Sequence, residues 1–241
     1  MILGRRADYT RLEAFSDAII AFACVRLLLS LDVPRGYDEL VKNVTGFIPF
    51  AVTFAALLLI WVAHRNLFRR YPLDDAFTLV VNGLFLFTIV FYAFPLKFIA
   101  GSVVSLFLPG DHTIVESEQQ LRNLFMIYGL GWMTIFFCIA LLYFHAAKER
   151  DELALSEIEA YDAISDGIYY MCLVAGGALS VALADFNIGV EIGLPALAYI
   201  LIGVFAALAT WLRARRRPDS LEAALSPATT AGQVFPEIPD D

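Results

Sequence analysis

From Arg11 to Pro34 the chain reads RLEAFSDAIIAFACVRLLLSLDVP. This run is long enough to cross a bilayer, which takes about 20 mostly apolar residues of helix. Further blocks of the same kind follow it along the chain, and they constrain the fold more than any other feature. Of the 241 residues 59% are hydrophobic and 17% charged, whereas soluble domains average about 45–50% apolar and about 25% charged. The apolar excess is concentrated in those blocks, so the expected fold is all-α: a polytopic membrane protein with six transmembrane helices.

The breakers divide the chain. The first helix is expected to start near Asp8 or Thr10, either of which can cap it, and to end before Pro34. The second runs from about Asp38 to Tyr71, with Pro49 kinking it or marking a short surface helix ahead of the span. The third covers Asp74 to about Leu108, the fourth about Ser117 to Leu153, the fifth Ser156 to Phe186 and the sixth about Val190 to Ala214. Residues 1–217 thus form one six-helix domain. After Pro218 the composition turns to Pro, Ala, Thr, Ser and acid with no periodic apolar face, which reads as a disordered tail over 218–241.

Short loops rich in arginine and lysine stay on the cytoplasmic side. Arg5, Arg6 and Arg11 precede the first helix, and Arg65, Arg69 and Arg70 lie between the second and third. Lys148 and Arg150 lie between the fourth and fifth, and Arg213, Arg215, Arg216 and Arg217 follow the sixth. Six helices put all four clusters on one side, so both termini are expected to be cytoplasmic and the location is the plasma membrane, multi-pass.

Several function classes drop out. The net charge of −8 comes from acidic loops and tail, and no basic tract with interleaved aromatics suggests nucleic-acid binding. Cys24, Cys138 and Cys172 all fall in apolar segments without a CxxC pair and read as small buried hydrophobes. His64, His112 and His145 are scattered, so no metal site can be drawn and no cofactor is expected. MILGRRADYT lacks a signal-peptide core, so the first helix is expected to stay in the mature protein. No convergent catalytic set stands at one depth beyond isolated Asp17 and His64, and the chain reads as a non-enzyme.

The first helix carries polar groups that a spanning segment seldom tolerates. Arg11, Glu13, Ser16 and Asp17 open it, and Arg26 lies deep in the apolar run. An arginine at the bilayer centre costs about 2.5–3.5 kcal/mol on insertion scales, and such residues read as functional by default. Phe15, Ile19, Phe22, Arg26 and Leu29 follow the alternating i+4, i+3 steps of one helix face. Ser16 and Asp17 stand at a depth where they can bond His64 and Asn82 of neighbouring helices. The acidic start of the fifth helix, Glu157, Glu159, Asp162 and Asp166, is either a solvated helix start favoured by the dipole or a cation-attracting entrance. Gly176 and Gly177 suit close helix packing.

RLEAFSDAIIAFA resembles the Arg-x-x-x-Phe-Ser-Asp signature of the transmembrane protein 175 family of potassium channels, with Arg11, Phe15, Ser16 and Asp17 matching. Trp61, His64 and Phe68 resemble that family's Trp-x-x-His pattern, with Arg65 where a second histidine often stands. Asn82 and Phe94-Pro95 also fit. The resemblance is specific over the first three helices and is one of topology beyond them. It implies a homotetramer with a central pore lined by the first helix and constricted by bulky apolar side chains. Laid on the family pattern, Phe22 falls at the first constricting layer, usually Ile, and Leu29 at the outermost layer. Val25 falls where many members carry a selectivity-linked Thr. Arg26 falls at the middle layer, usually Leu.

The expected function is therefore an ion channel in the lipid bilayer, with a gate at Ile19, Phe22, Arg26 and Leu29 and Val25 next to the selectivity position. Arg11, Phe15, Ser16, Asp17, His64 and Asn82 are expected to form a structural and gating network, and K⁺ is the expected ion. Arg26 keeps an alternative open. Four arginines around an apolar constriction repel cations, which would leave an anion-passing protein or a non-conducting sensor or scaffold. Arg26 either faces the pore or turns away, snorkelling to the outer interface or pairing with a carboxylate.

Overall fold

The computed structural model describes residues 11–29, 35–105 and 117–190, together with scattered positions between 194 and 211. The described residues form five helices: α1 (Arg11–Leu29), α2 (Tyr37–Arg70), α3 (Ala76–Ser105), α4 (Glu118–Lys148) and α5 (Glu157–Asp185). Most of the expected sixth helix lies outside the described residues, as do residues 1–10 and the tail; the described positions from Leu194 to Trp211 are helical. Four helices are long and apolar enough to span a membrane, over Phe47–Arg70, Ala76–Phe98, Glu118–Lys148 and Glu157–Asp185. α1 carries Arg11, Glu13, Asp17 and Arg26 within 19 residues, too many charges to qualify on composition alone. The chain is a multi-pass, all-helical membrane protein.

Local chemistry sets the boundaries. α5 starts on a capping box: the Ser156 hydroxyl accepts from the Glu159 amide, and the Glu159 carboxylate accepts from the Ser156 amide at 2.8 Å. Ser117 caps α4 by accepting from the Gln120 amide. Asp75 caps α3 by accepting from the amides of Phe77 and Thr78 and from the Thr78 hydroxyl. α2 stops at Arg70, with Tyr71 in extended conformation ahead of Pro72. It runs as one helix through Pro49, so no separate surface helix precedes the span. α4 ends five residues before the expected Leu153. The chain turns over 149–154 with Ala154 at φ 48, and the Leu153 and Leu155 amides donate to the carbonyls of Glu149 and Arg150.

α4 and α5 form the most closely packed pair. Gly167, Gly176 and Gly177 are buried on α5, and a Cβ at Gly177 would meet Met133 Cγ at 2.6 Å and Trp132 Cδ1 at 3.1 Å. This is the close packing expected of the Gly176-Gly177 pair. An aromatic ladder runs up the interior: Trp132–Phe136, Phe136–Tyr170, Tyr170–Tyr143 and Tyr143–Tyr71, with centroids 4.5–6.0 Å apart. Phe85, Ile89, Ile135, Ile139 and Leu142 are buried where α3 meets α4. Cys138 is buried, and all three cysteines are free thiols.

Candidate functional site

Among the described residues, the buried side chains of α1 lie on one side only. Ser16, Ile20, Ala23 and Leu27 are buried, a 4-3-4 spacing that puts them on one face against α2 and α3. At about 100° per residue, Ile19 stands about 70° from the middle of that face, Arg26 about 90° and Val25 about 170°. Exposure follows these angles: Ile19 is half-buried, while Phe15, Phe22, Val25 and Leu29 are exposed, Leu29 at 77%.

The covered face holds a directed chain of hydrogen bonds. The Ser16 hydroxyl donates to the Leu12 carbonyl at 2.8 Å, and Asn82 Nδ2 on α3 donates to Ser16 Oγ at 2.9 Å. His64 Nε2 on α2 lies 2.8 Å from Asn82 Oδ1. Since Asn82 Oδ1 can only accept, Nε2 carries the proton of the His64 ring. The ring is held between Phe85, stacked at 4.9 Å, and Phe68 at 4.6 Å. One turn earlier on α2, Trp61 Nε1 donates to Asp17 Oδ1 at 2.7 Å, and the Arg65 guanidinium lies over the Trp61 ring at 5.4 Å. Thus Ser16, His64 and Asn82 come together as the sequence suggested. Asp17 is bonded to Trp61, the tryptophan of the Trp-x-x-His pattern. Arg11 and Phe15 are exposed on the other side of α1, away from this cluster.

Arg26 is exposed in the single chain, and its Cζ lies 4.6 Å from the centroid of the Phe94 ring on α3. Among the described residues no carboxylate meets it.

A second polar belt ties the end of α2 to α5. Arg70 Nη1 and Nη2 each lie 3.1 Å from a carboxylate oxygen, on Asp166 and Asp162 respectively. The Tyr71 hydroxyl donates to the Glu159 carbonyl at 3.2 Å, and burial pushes that phenol up to about 12. Nearby, His145 Nε2 on α4 lies 2.9 Å from Asp75 Oδ2. The slight burial of Asp75 works to raise its pKa, but the hydrogen bonds from Thr78 and the adjacent His145 ring outweigh it and bring the carboxyl below its ordinary value. Asp74, Asp75, His145, Glu149 and Glu152 line an open cleft beside this belt. Asp162 and Asp166, the partners of Arg70, are legible in sequence only as acidic residues of the α5 start; their i, i+4 spacing is the signal for a shared cation. Among the described residues no group of three His, Cys, Asp or Glu side chains is arranged to hold a metal ion.

The sequence and fold match known proteins over the same helices. The family model for the endosomal/lysosomal potassium channel TMEM175 matches residues 11–92, which take in Ser16, Asp17, Trp61, His64 and Asn82. A potassium channel of Marivirga tractuosa is 34% identical over 192 residues, covering 75% of this chain and 77% of that protein. A potassium channel of Chamaesiphon minutus is 31% identical over 105 residues, covering 39% of this chain and 51% of that protein. The crystal structure of a point variant of the potassium channel MtTMEM175, in complex with a Nanobody-MBP fusion protein, superposes with a TM-score of 0.79 at 28% identity. That match covers 88% of this chain and 96% of the other. With residues 11–92 matching the family model and three quarters of its length matching the Marivirga channel at 34% identity, the chain belongs to the TMEM175 family of potassium channels.

Proposed function

We propose that the chain is the subunit of a K⁺-passing channel in the plasma membrane. In this reading it is a homotetramer of six-helix subunits with both termini cytoplasmic, a tail over 218–241 and a pore lined by α1. Phe22 and Leu29 form the apolar constriction, with Ile19 at its cytoplasmic approach and Val25 next to the selectivity position. The observation that carries this reading is the division of α1. A face packed against α2 and α3 through Ile20, Ala23 and Leu27 and hydrogen-bonded at Ser16 fixes its rotation, and the described residues leave Phe22, Val25 and Leu29 on the opposite side exposed. The names of the relatives, each a potassium channel, support K⁺ as the ion. The Ser16–Asn82–His64 chain and the Trp61–Asp17 bond then set how far α1 can turn, which is a gating role.

Purified protein in liposomes tests this by K⁺ flux. Wild type is expected to pass K⁺, and Phe22→Ala or Leu29→Ala to pass it faster because the constriction widens. No flux from wild type or from Arg26→Leu would overturn the channel reading. Arg26 on the uncovered side supports a second reading, an anion-passing or non-conducting relative. Reversal potentials under a KCl gradient separate the two, because anion and cation permeation give opposite signs.

A further inference from the structure

We infer that Phe94, a residue of α3 and not of the pore helix, sets what the α1 constriction passes by holding the Arg26 guanidinium against its ring and off the pore axis. This rests on the reading of α1 as the pore helix.

The 4.6 Å separation of Arg26 Cζ from the Phe94 centroid is well within the roughly 6 Å over which an aromatic face attracts a cation. Arg26 stands at the edge of the uncovered face, about 90° from the covered one, whereas Val25 at about 170° points directly away. From that edge a long side chain can lean along the subunit towards α3, which Val25 could not do. The ring it reaches is a fixed dock. The Pro95 carbonyl, next in the chain, accepts from the Tyr128 hydroxyl, and the Tyr92 hydroxyl donates to the Tyr128 carbonyl at 3.1 Å. α3 is therefore tied to α4 on both sides of Phe94. Phe91 and Phe98 are exposed on the same face of α3 and add apolar surface around the ring, with Lys97 one turn from Phe94 as the other cation on this side of the helix. Released from the ring, the same side chain would swing towards the constriction, and four copies would place a ring of positive charge there.

The test compares Phe94→Leu, Phe94→Trp, Arg26→Leu and the Phe94→Leu/Arg26→Leu double variant with wild type. Ion flux and reversal potential are read in liposomes and planar bilayers. In lipid nanodiscs the Arg26 side-chain nitrogen resonance reports whether an aromatic ring shifts it. Phe94→Leu, which keeps the apolar bulk but loses the ring, is expected to lower K⁺ conductance about tenfold and move the reversal potential towards chloride. Phe94→Trp should stay close to wild type. In the Arg26→Leu background Phe94→Leu should change nothing. An unaltered Phe94→Leu channel overturns the inference, and so does an equal loss in both backgrounds, because Phe94 would then act through packing. A conducting wild type whose Arg26 resonance carries no ring shift overturns this inference alone. Silence from every variant, Arg26→Leu included, overturns the channel reading together with it.

Discussion

His64 and Asn82 stand 18 residues apart in the chain and meet at 2.8 Å, 2% and 0% exposed, on neighbouring helices. Asn82 is the connector of the cluster, accepting from α2 and donating to α1. Asn82→Ala is expected to destabilise the protein by about 1–3 kcal/mol, because it strands a buried partner on each side. The pairwise His64–Asn82 coupling, from a cycle of His64→Ala, Asn82→Ala and the double variant, should be about 0.6 kcal/mol and below about 1.7. Unfolding in detergent measures both. A coupling indistinguishable from zero would remove this bond from the account of how α1 is held.

Asp75 links helix capping to pH. Its folded pKa lies below the ordinary 3.8, so its contribution is present above that value and is lost as pH falls through the folded one. Asp75→Ala should lower stability by about 0.5–1 kcal/mol at neutral pH, the low end for a cap because the side chain is half-exposed. Once the pH has fallen through the folded pKa the two proteins should converge. Melting curves across this range check the sign; a gap that widens on acidification would contradict it.

Arg70 uses one nitrogen for each of two aspartates. Lysine offers a single charged centre in place of that fork. Arg70→Ala should cost about 0.5–1 kcal/mol and Arg70→Lys part of that, with most of the difference screened by about 1 M salt. Salt-dependent melting of the three proteins distinguishes a charge effect from a packing one, since a packing loss would persist at high salt.

Gly131 faces the Tyr92 ring so closely that an added Cβ would overlap it. The Tyr92 hydroxyl is bonded to the Tyr128 carbonyl, so the ring cannot swing away cheaply. Gly131→Ala should destabilise by about 1–3 kcal/mol, and Tyr92→Phe, which removes the tether, should lessen that penalty. Gly177→Ala should cost less, because the nearest atom is on the flexible Met133 side chain. Thermal shifts of wild type, the three single variants and the Gly131→Ala/Tyr92→Phe double variant test the ordering.

The helices were legible because apolar length and end signals agree. Ser156 and Glu159 spell a capping box, and α5 begins one residue from where the sequence puts it. The end of α4 was not legible, because the left-handed turn position is filled by Ala154 and not by glycine or asparagine. Ser16, His64 and Asn82 could be grouped as polar residues at one depth. Trp61 is an indole with a single donor hidden in an apolar stretch, so its bond to Asp17 left no mark in the pattern. The Arg26–Phe94 contact is equally silent in sequence, since Phe94 is one of several phenylalanines on α3 and only the crossing of α1 over α3 selects it.

The one-sided covering of α1 separates two kinds of selection. Ser16, Ile20, Ala23 and Leu27 answer to the folding of the subunit, and a change there is judged by whether the protein survives at all. Phe22, Val25 and Leu29 stand outside that judgement, because among the described residues they stay exposed where the other four are buried. A lineage can therefore exchange these residues one at a time without first acquiring compensating changes in the frame. Arg26 stands between the two groups, because its guanidinium rests on the Phe94 ring of α3.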